Sequence, residues 1–498
     1  MQTFCKNSNK RAKYKAHIDI LPILPLLIYH NGKKERQSSA SLEFFDNFAK
    51  YNRQDRQYMK KSFIYAMAAV ALLSCSTGKK VAVAPQICDT RVNYAEFFTG
   101  NTMRFDFHHA GDSKQEFYYF DKVLREGEWA GSKVSLINPF DYGEQHFRII
   151  DKATGKVIYK NNYCTLFNEW QTTPEATVTS RSFPEGVIFP EPAKEFCIEF
   201  YARNKVTKEW EKRYSQCVQV GDYNIAPQKA QYESIDIHIG GDIAHSLDIV
   251  LLPDGFTAEE KEKFLASCRM WSDALFSYAP FTQNAHRINI RAVWAPSKEK
   301  GISKPGQGKW VDNLLGSRFY TLNSERYQMT EEFQKVRDVA ASAPYESIFI
   351  LTNTDKYGGG GIYNFYGLGS AGDTGRTGEV YVHEFGHSLM GLGDEYIEIG
   401  NTVSALYPAG KEPWEANLTR FVNFEGKWED MIAKETPTPT VAAEGTTEKD
   451  WVIGAYEGGG YLEKGIYRGW PECMMKALTD FCPVCQRAIT RYLDYICE

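Results

Sequence analysis

The strongest constraint on this chain is the motif HEFGH at residues 383–387. It lies within a mostly apolar stretch, residues 379–390, whose pattern predicts a helix. Positions four apart lie about 40° apart around a helix axis, so the imidazoles of His383 and His387 can reach one metal ion. Glu384 can contact a water molecule on that metal without being a ligand itself. The motif therefore predicts a zinc site in which Glu384 is the general base for hydrolysis of a carbonyl compound.

The residues after the motif predict how a third ligand reaches the metal. Gly391 and Gly393 can end the helix and turn the chain back toward it. No histidine follows His387 in the sequence, so a downstream third ligand must be a carboxylate or a cysteine. Asp394 is the first candidate and Glu395 the second. We therefore expect one catalytic Zn²⁺, held by both histidines and Asp394.

The run HEFGHSLMGLGDEY, residues 383–396, resembles the active-site helix of the IgA-peptidase family of bacterial metallopeptidases, in the metzincin clan. The similarity covers residues from about 230 to the end, including DIVLLPDGF at 248–256 and FCPVC at 481–485. The N-terminal β module also looks like the one that accompanies this family. The resemblance implies a zinc peptidase with a protein or peptide substrate.

Site residues follow from the same resemblance. It implies that the zinc ligands are His383, His387 and Asp394 and that the catalytic base is Glu384. It also implies a methionine turn beneath the metal, formed by Met474 or Met475, and a substrate lying along an edge strand for which residues 363–366 are the candidate. The chain departs from the clan in having Gly393 where the third histidine is usual, and in lacking a tyrosine two residues after either methionine.

Composition argues against two broad classes of protein. The chain has 58 Lys+Arg against 63 Asp+Glu and contains no basic block, so we expect no nucleic-acid partner. A mean hydropathy of −0.44 excludes a polytopic membrane protein. With 498 residues, the chain has room for two or three domains.

The N-terminal part predicts export and a lipid anchor. Residues 59–74 have the basic start and short apolar run of a signal peptide, and they end in a lipobox-like LLS before Cys75. We therefore expect an outer-membrane lipoprotein of the bacterial envelope, held to the membrane by lipid on Cys75. Residues 75–92 read as a tether. Residues 1–58 show no domain pattern and are interpreted as a spurious N-terminal extension.

The remaining chain predicts a multidomain α+β protein. Residues 93–228 alternate in short runs between turn residues, which favours an antiparallel β-sandwich, interpreted as an accessory or spacer module without chemistry of its own. Residues 229–498 change to α/β alternation and would form the metallopeptidase domain. Within it, residues 247–252 predict a buried strand, and Thr257 with Glu260 predicts a capped helix start.

The CPVC motif at residues 482–485 leaves three interpretations open. It could be a redox pair, or half of a zinc knuckle completed by Cys473 and Cys497. It could also take part in a structural disulfide, for example with Cys473, and an exported chain favours this use.

These observations together predict an exported zinc-dependent endopeptidase. One alternative is a non-catalytic envelope lipoprotein with a degenerate peptidase domain that only binds its ligands. Another is a zinc amidase acting on cell-wall peptide. The intact Glu384 argues against the binding protein, since a lapsed enzyme need not keep its base.

Overall fold

A computed structural model describes residues 91–398, 406–442, 445 and 447–498. All of these residues fall within one compact unit. The predicted signal peptide, Cys75 and the 1–58 extension lie outside the described residues. Among the helices that the structure describes, none is both long enough and apolar enough to span a membrane.

Two four-stranded sheets form the N-terminal part of the described chain. Its elements are α1 (Tyr94–Phe97), β1 (Phe98–Gly111), β2 (Glu116–Glu128), β3 (Gln145–Asp151), β4 (Val157–Tyr163), α2 (Leu166–Trp170), β5 (Arg181–Pro192), β6 (Phe196–Arg203), β7 (Trp210–Val218) and β8 (Ala226–Pro227). The sheet orders are β5-β1-β2-β8 and β4-β3-β6-β7. One hydrophobic core, containing Phe105, Ile149 and Phe200, joins the two sheets. A disulfide bond between Cys197 and Cys217 links β6 to β7.

A six-stranded mixed sheet and its helices form the next part. Its elements are β9 (Glu233–Ile239), β10 (Leu247–Asp254), α3 (Lys261–Phe276), α4 (Phe281–Asn284), β11 (Ile288–Trp294), α5 (Phe333–Ala340), β12 (Ser347–Thr352), β13 (Gly359–Ile362), β14 (Tyr366–Ser370) and α6 (Thr377–Met390). The strand order is β13-β14-β12-β10-β11-β9. The four inner strands are parallel, whereas β13 and β9 are antiparallel to their neighbours.

The C-terminal residues add a small sheet and two helices. These elements are β15 (Leu418–Thr419), β16 (Tyr456–Gly459), β17 (Leu462–Arg468), α7 (Met474–Ala477) and α8 (Pro483–Ile496). The small sheet has the order β15-β17-β16. Both helices pack against α6.

The local predictions for the α/β part are confirmed. Every residue of β10 is buried, as expected for a strand covered on both faces of a sheet. The capping box of Thr257 and Glu260 is present, and α3 begins at Lys261 after one short 3₁₀ turn. Phe264 and Trp271 are among the residues by which α3 packs into the core.

The edge strand of the sheet lies earlier in the chain than expected. It is β13, made largely of the glycine run, while the predicted residues 363–366 form the following turn and the start of β14. Asn364 occupies the left-handed region at φ 51°, a conformation that asparagine tolerates better than most residues. Because the chain turns at this point, the strand at this edge of the sheet is Gly359–Ile362.

The N-terminal β part packs directly on the mixed sheet. The buried Arg104 of β1 forms an ion pair with Asp338 of α5 at 2.6 Å. The backbone N–H of Cys164 donates to the carbonyl oxygen of Tyr363 at 2.8 Å, in the turn that follows the edge strand. This part of the chain therefore contacts the element that borders the candidate site, which a simple spacer would not do.

Candidate metal centre

The helix α6 presents the motif and ends where its glycine predicts. Gly391 caps the helix in the left-handed region at φ 60°, and its N–H donates to the carbonyl oxygen of His387 at 2.8 Å. The N–H of Leu392 donates to Gly386 at 3.2 Å. These two hydrogen bonds reverse the chain, because a glycine reaches this conformation without a steric penalty from a Cβ atom. Asp394 is thereby carried back to the histidine face of the helix.

Three candidate ligand atoms converge at this point. The Nε2 atoms of His383 and His387 lie 3.1 Å apart. Oδ1 of Asp394 lies 3.2 Å from Nε2 of His383 and 3.3 Å from Nε2 of His387. Tetrahedral zinc with ligand distances of about 2.0–2.1 Å separates its ligand atoms by about 3.3–3.4 Å. The spacing of the three atoms therefore suits a zinc ion.

The protonation pattern of the three side chains also favours a cation. Nδ1 of His383 lies 3.0 Å from the carbonyl oxygen of Met474, and Nδ1 of His387 lies 2.5 Å from that of Leu392. Because a carbonyl oxygen only accepts, each Nδ1 carries hydrogen, and each Nε2 presents a lone pair whenever its imidazole is neutral. Oδ1 of Asp394 is buried and accepts no hydrogen bond. Three facing lone pairs repel each other unless a positive charge lies between them.

The same arrangement attracts positive charge in the absence of an ion. Burial alone would lower the pKa of His387, but the carboxylates of Asp394 and Glu384 outweigh burial and raise that pKa to about 9. Burial acts in the opposite direction on Asp394, yet the two imidazoles hold the pKa of its carboxyl well below the usual range. The carboxylate is therefore ionised and available as a ligand at any physiological pH.

Glu384 lies against the glycine strand β13. A Cβ atom at Gly359 would lie 3.0 Å from Oε1 of Glu384, and one at Gly361 would lie 2.2 Å from the backbone oxygen of Glu384 and 2.9 Å from Cβ of His387. At Gly361 only glycine lets the edge strand approach the helix so closely, whereas at Gly359 an added Cβ atom would make a tight contact. Burial raises the pKa of Glu384, which brings the carboxylate closer to the range of a general base.

Asp394 and Glu395 face different surroundings, which separates the two candidates for the third ligand. Glu395 is fully buried and its Oε1 accepts hydrogen bonds from Asn417 and Cys485 at 2.9 and 3.3 Å. The structure thus brings Asp394, and not Glu395, to the histidine pair.

The methionines named for the implied methionine turn pack against α6. Both Met474 and Met475 are fully buried. Met474 accepts the hydrogen bond from His383 described above, and Sδ of Met475 lies 2.9 Å from the position of a Cβ atom at Gly386. Gly386 therefore leaves the space that the methionine fills.

Two further residues near the centre were not identified from the sequence. Tyr461 donates a hydrogen bond from its hydroxyl to Oδ2 of Asp394. It follows three consecutive glycines, and the N–H of Gly460 donates to the backbone oxygen of Asp394 at 2.7 Å. A glycine run before an aromatic residue indicates a close backbone approach and was the available signal. The side-chain amide of Asn417 accepts a hydrogen bond from the N–H of Gly393 and donates one to its carbonyl oxygen, both at 2.8 Å.

The N-terminal β part also contributes a carboxyl group near the centre. Glu169 of α2 accepts a hydrogen bond from the hydroxyl of Tyr327 at 2.5 Å. The ring of Tyr327 in turn lies 2.8 Å from the position of a Cβ atom at Gly360. Burial raises the pKa of Glu169 to about 7. No sequence motif marks this contact, because it joins residues far apart in the chain.

Comparison with known proteins gives a family assignment. The family model described as IgA Peptidase M64 matches residues 235–451 and 442–493. A second model, described as Peptidase M64 N-terminus, matches residues 93–215. The comparison with curated proteins gave no significant match. With more than half of its length matched by the first model, the chain belongs to the IgA peptidase M64 family and is a peptidase.

Proposed function

We propose that this chain is an exported zinc-dependent endopeptidase. The observation that carries the proposal is the convergence of His383 Nε2, His387 Nε2 and Asp394 Oδ1 within 3.1–3.3 Å of each other, beside Glu384. Two imidazoles and a carboxylate are ligands that zinc accepts, and three protein ligands leave one position for substrate or water. Membership of a peptidase family gives this centre its reaction type.

In this proposal the metal, Glu384 and the two histidines have separate roles in peptide-bond hydrolysis. Zinc would supply Lewis acidity that polarises the scissile carbonyl and makes a water molecule easier to deprotonate. Glu384 accepts the proton from that water and later donates it to the leaving amine. His383 and His387 keep their Nε2 atoms aimed at the centre because both Nδ1 atoms are bonded to backbone oxygens.

The substrate would bind in an extended conformation along β13. This strand lies at the edge of the six-stranded sheet, directly over Glu384 and His387. Tyr327 already forms an isolated bridge to Gly359, and beyond it this edge would offer backbone hydrogen-bonding groups to an added peptide strand. The glycines keep side chains out of the space between this edge and the base.

Export and anchoring are a separate part of the proposal. They rest on the signal-like residues 59–74 and on Cys75. Cells expressing the full chain should incorporate labelled fatty acid into it, and a Cys75→Ser variant should not. Label retained by the variant would contradict the anchor without affecting the peptidase proposal.

The function is tested on purified full chain with unfolded casein and with peptidoglycan as alternative substrates. We expect casein cleavage that stops when a chelator removes the metal and returns when zinc is restored. Cleavage of peptidoglycan peptide alone would favour an amidase. Bound zinc with neither activity would favour a non-catalytic binding protein.

A further inference from the structure

We propose that this chain holds a second, structural zinc ion, bound by Glu395, Cys473, Cys482 and Cys485. One ligand atom from each of these four residues lies within 4.8 Å of the others. The cluster is separate from the candidate catalytic centre and shares no ligand with it. The inference does not depend on the proposed peptidase mechanism.

The distances in the cluster suit a metal better than a disulfide. Sγ of Cys473 lies 3.7 Å from Sγ of Cys485. A disulfide requires about 2.05 Å, whereas two thiolates on one tetrahedral zinc at about 2.3 Å lie about 3.8 Å apart. Sγ of Cys485 lies 3.3 Å from Oε1 of Glu395, close to the separation of about 3.5 Å for a thiolate and a carboxylate on one zinc.

All four proposed ligand side chains are buried. The exposed fractions of Cys473, Cys482 and Cys485 are 0%, 3% and 0%. Glu395 is 0% exposed, and its Oε2 atom has no hydrogen-bond partner. An unpartnered carboxylate oxygen in such a site is costly unless a cation or proton compensates it. Three thiolates and a carboxylate around one ion would use every group in the cluster.

The backbone presents these cysteines as zinc ligands are commonly presented. Cys482 precedes the first residue of α8, and Cys485 lies in the first turn of that helix, so the pair forms a C-x-x-C half-site. Cys473 precedes the first residue of α7, and its Sγ accepts a hydrogen bond from the N–H of Cys482 at 3.3 Å. Hydrogen bonds of this kind stabilise a thiolate.

This arrangement revises two sequence-based interpretations of the CPVC motif. The expected disulfide is not formed, because all three cysteines carry free thiols. Cys497 is not the fourth member of a knuckle either, since its Sγ lies against the carbonyl oxygen of Arg287 at 3.6 Å. The fourth ligand is instead a carboxylate about 80 residues upstream of the cysteines.

The second ion would hold the loop that carries Asp394. Glu395 follows Asp394 directly, and its N–H donates to the backbone oxygen of Met475 at 2.8 Å. With four protein ligands the site is closed and leaves no position for substrate. Its contribution is therefore to join this loop to α7 and α8 and so to position Asp394.

The test counts zinc in the full chain purified under reducing conditions. We expect two zinc ions per chain in the parent, one in the His383→Ala/His387→Ala double variant and one in Cys482→Ser. The control is Cys268→Ser, because Cys268 is equally buried but lies in α3, and it should keep two. With cobalt in place of zinc, the double variant should show thiolate-to-cobalt charge-transfer absorption.

The outcomes separate this proposal from that of the catalytic centre. One zinc ion retained by the double variant and bound by its cysteines would support the second site, even if the proposed peptidase mechanism were wrong. Loss of all metal from the double variant, or absence of the charge-transfer band, would overturn it. If Cys482→Ser does not fold, a thiol-specific mercurial added to the parent should release one zinc per chain. Absence of that release would also overturn the proposal.

Discussion

Tyr461 donates its hydroxyl hydrogen bond to Oδ2 of Asp394, while Oδ1 of the same carboxylate faces the two histidines. One carboxyl group thus contacts the candidate metal position on one side and a half-buried phenol on the other. Partners of this kind orient a ligand and typically change metal affinity by about 10–100-fold when removed.

We therefore expect Tyr461→Phe to bind zinc about 10–100-fold more weakly at the catalytic centre. Phenylalanine keeps the ring but leaves Oδ2 of Asp394 without its donor. Competition with a chelator of known affinity measures the change. Tyr223→Phe is the control, since Tyr223 is 94% exposed. Equal affinities in Tyr461→Phe and the parent would show that the hydroxyl does not orient the ligand.

Gly361→Ala should damage the centre through the backbone. The added methyl would lie 2.2 Å from the backbone oxygen of Glu384, so strand or helix must move. We expect kcat/KM to fall at least about tenfold, a change of about 1.4 kcal/mol, together with a lower Tm. Gly127→Ala is the matched control because nothing lies within 4 Å of its added Cβ atom. Parent-like values for Gly361→Ala would contradict the close approach.

Glu169 should make folding stability depend on pH. Burial raises its folded-state pKa to about 7, above the unfolded value of 4.5, so the folded chain binds this proton more tightly. Its contribution to the free energy of unfolding is fully present below about pH 4.5. That contribution is lost as the pH rises through about 7, by at most about 1.4 kcal/mol per pH unit.

Urea unfolding of Glu169→Gln and of the parent at pH 5 and pH 8 measures this effect. The variant should gain stability relative to the parent on going from pH 5 to pH 8. Glu209→Gln, at an exposed position, should show no such trend. A constant difference between Glu169→Gln and the parent would mean that folding does not raise the pKa of Glu169.

Local sequence patterns predicted the elements that carry the centre. Four-residue spacing and the glycine at 391 were sufficient for α6 and for the return of Asp394, because helix geometry and helix ends are set by nearby residues. The buried strand β10 was equally predictable, since a continuous apolar run of this length indicates a strand that is buried on both faces.

Contacts between distant segments could not be predicted in this way. Glu395 was considered only as a metal ligand beside the histidines, whereas tertiary packing places it among cysteines of the last helices. Glu169 was assigned to a module without chemistry, and only the packing of that module brings it to Tyr327. A single sequence contains the residues of such pairs but no local signal that joins them.

The most direct test of the central claim compares Glu384→Gln with the parent chain. Glutamine keeps the shape of the side chain and both histidine ligands, but it cannot accept the proton from water. We predict the same zinc content in the two proteins and a fall of about 100-fold or more in kcat on casein for the variant. Comparable kcat values at equal zinc content would contradict the role of Glu384 as general base.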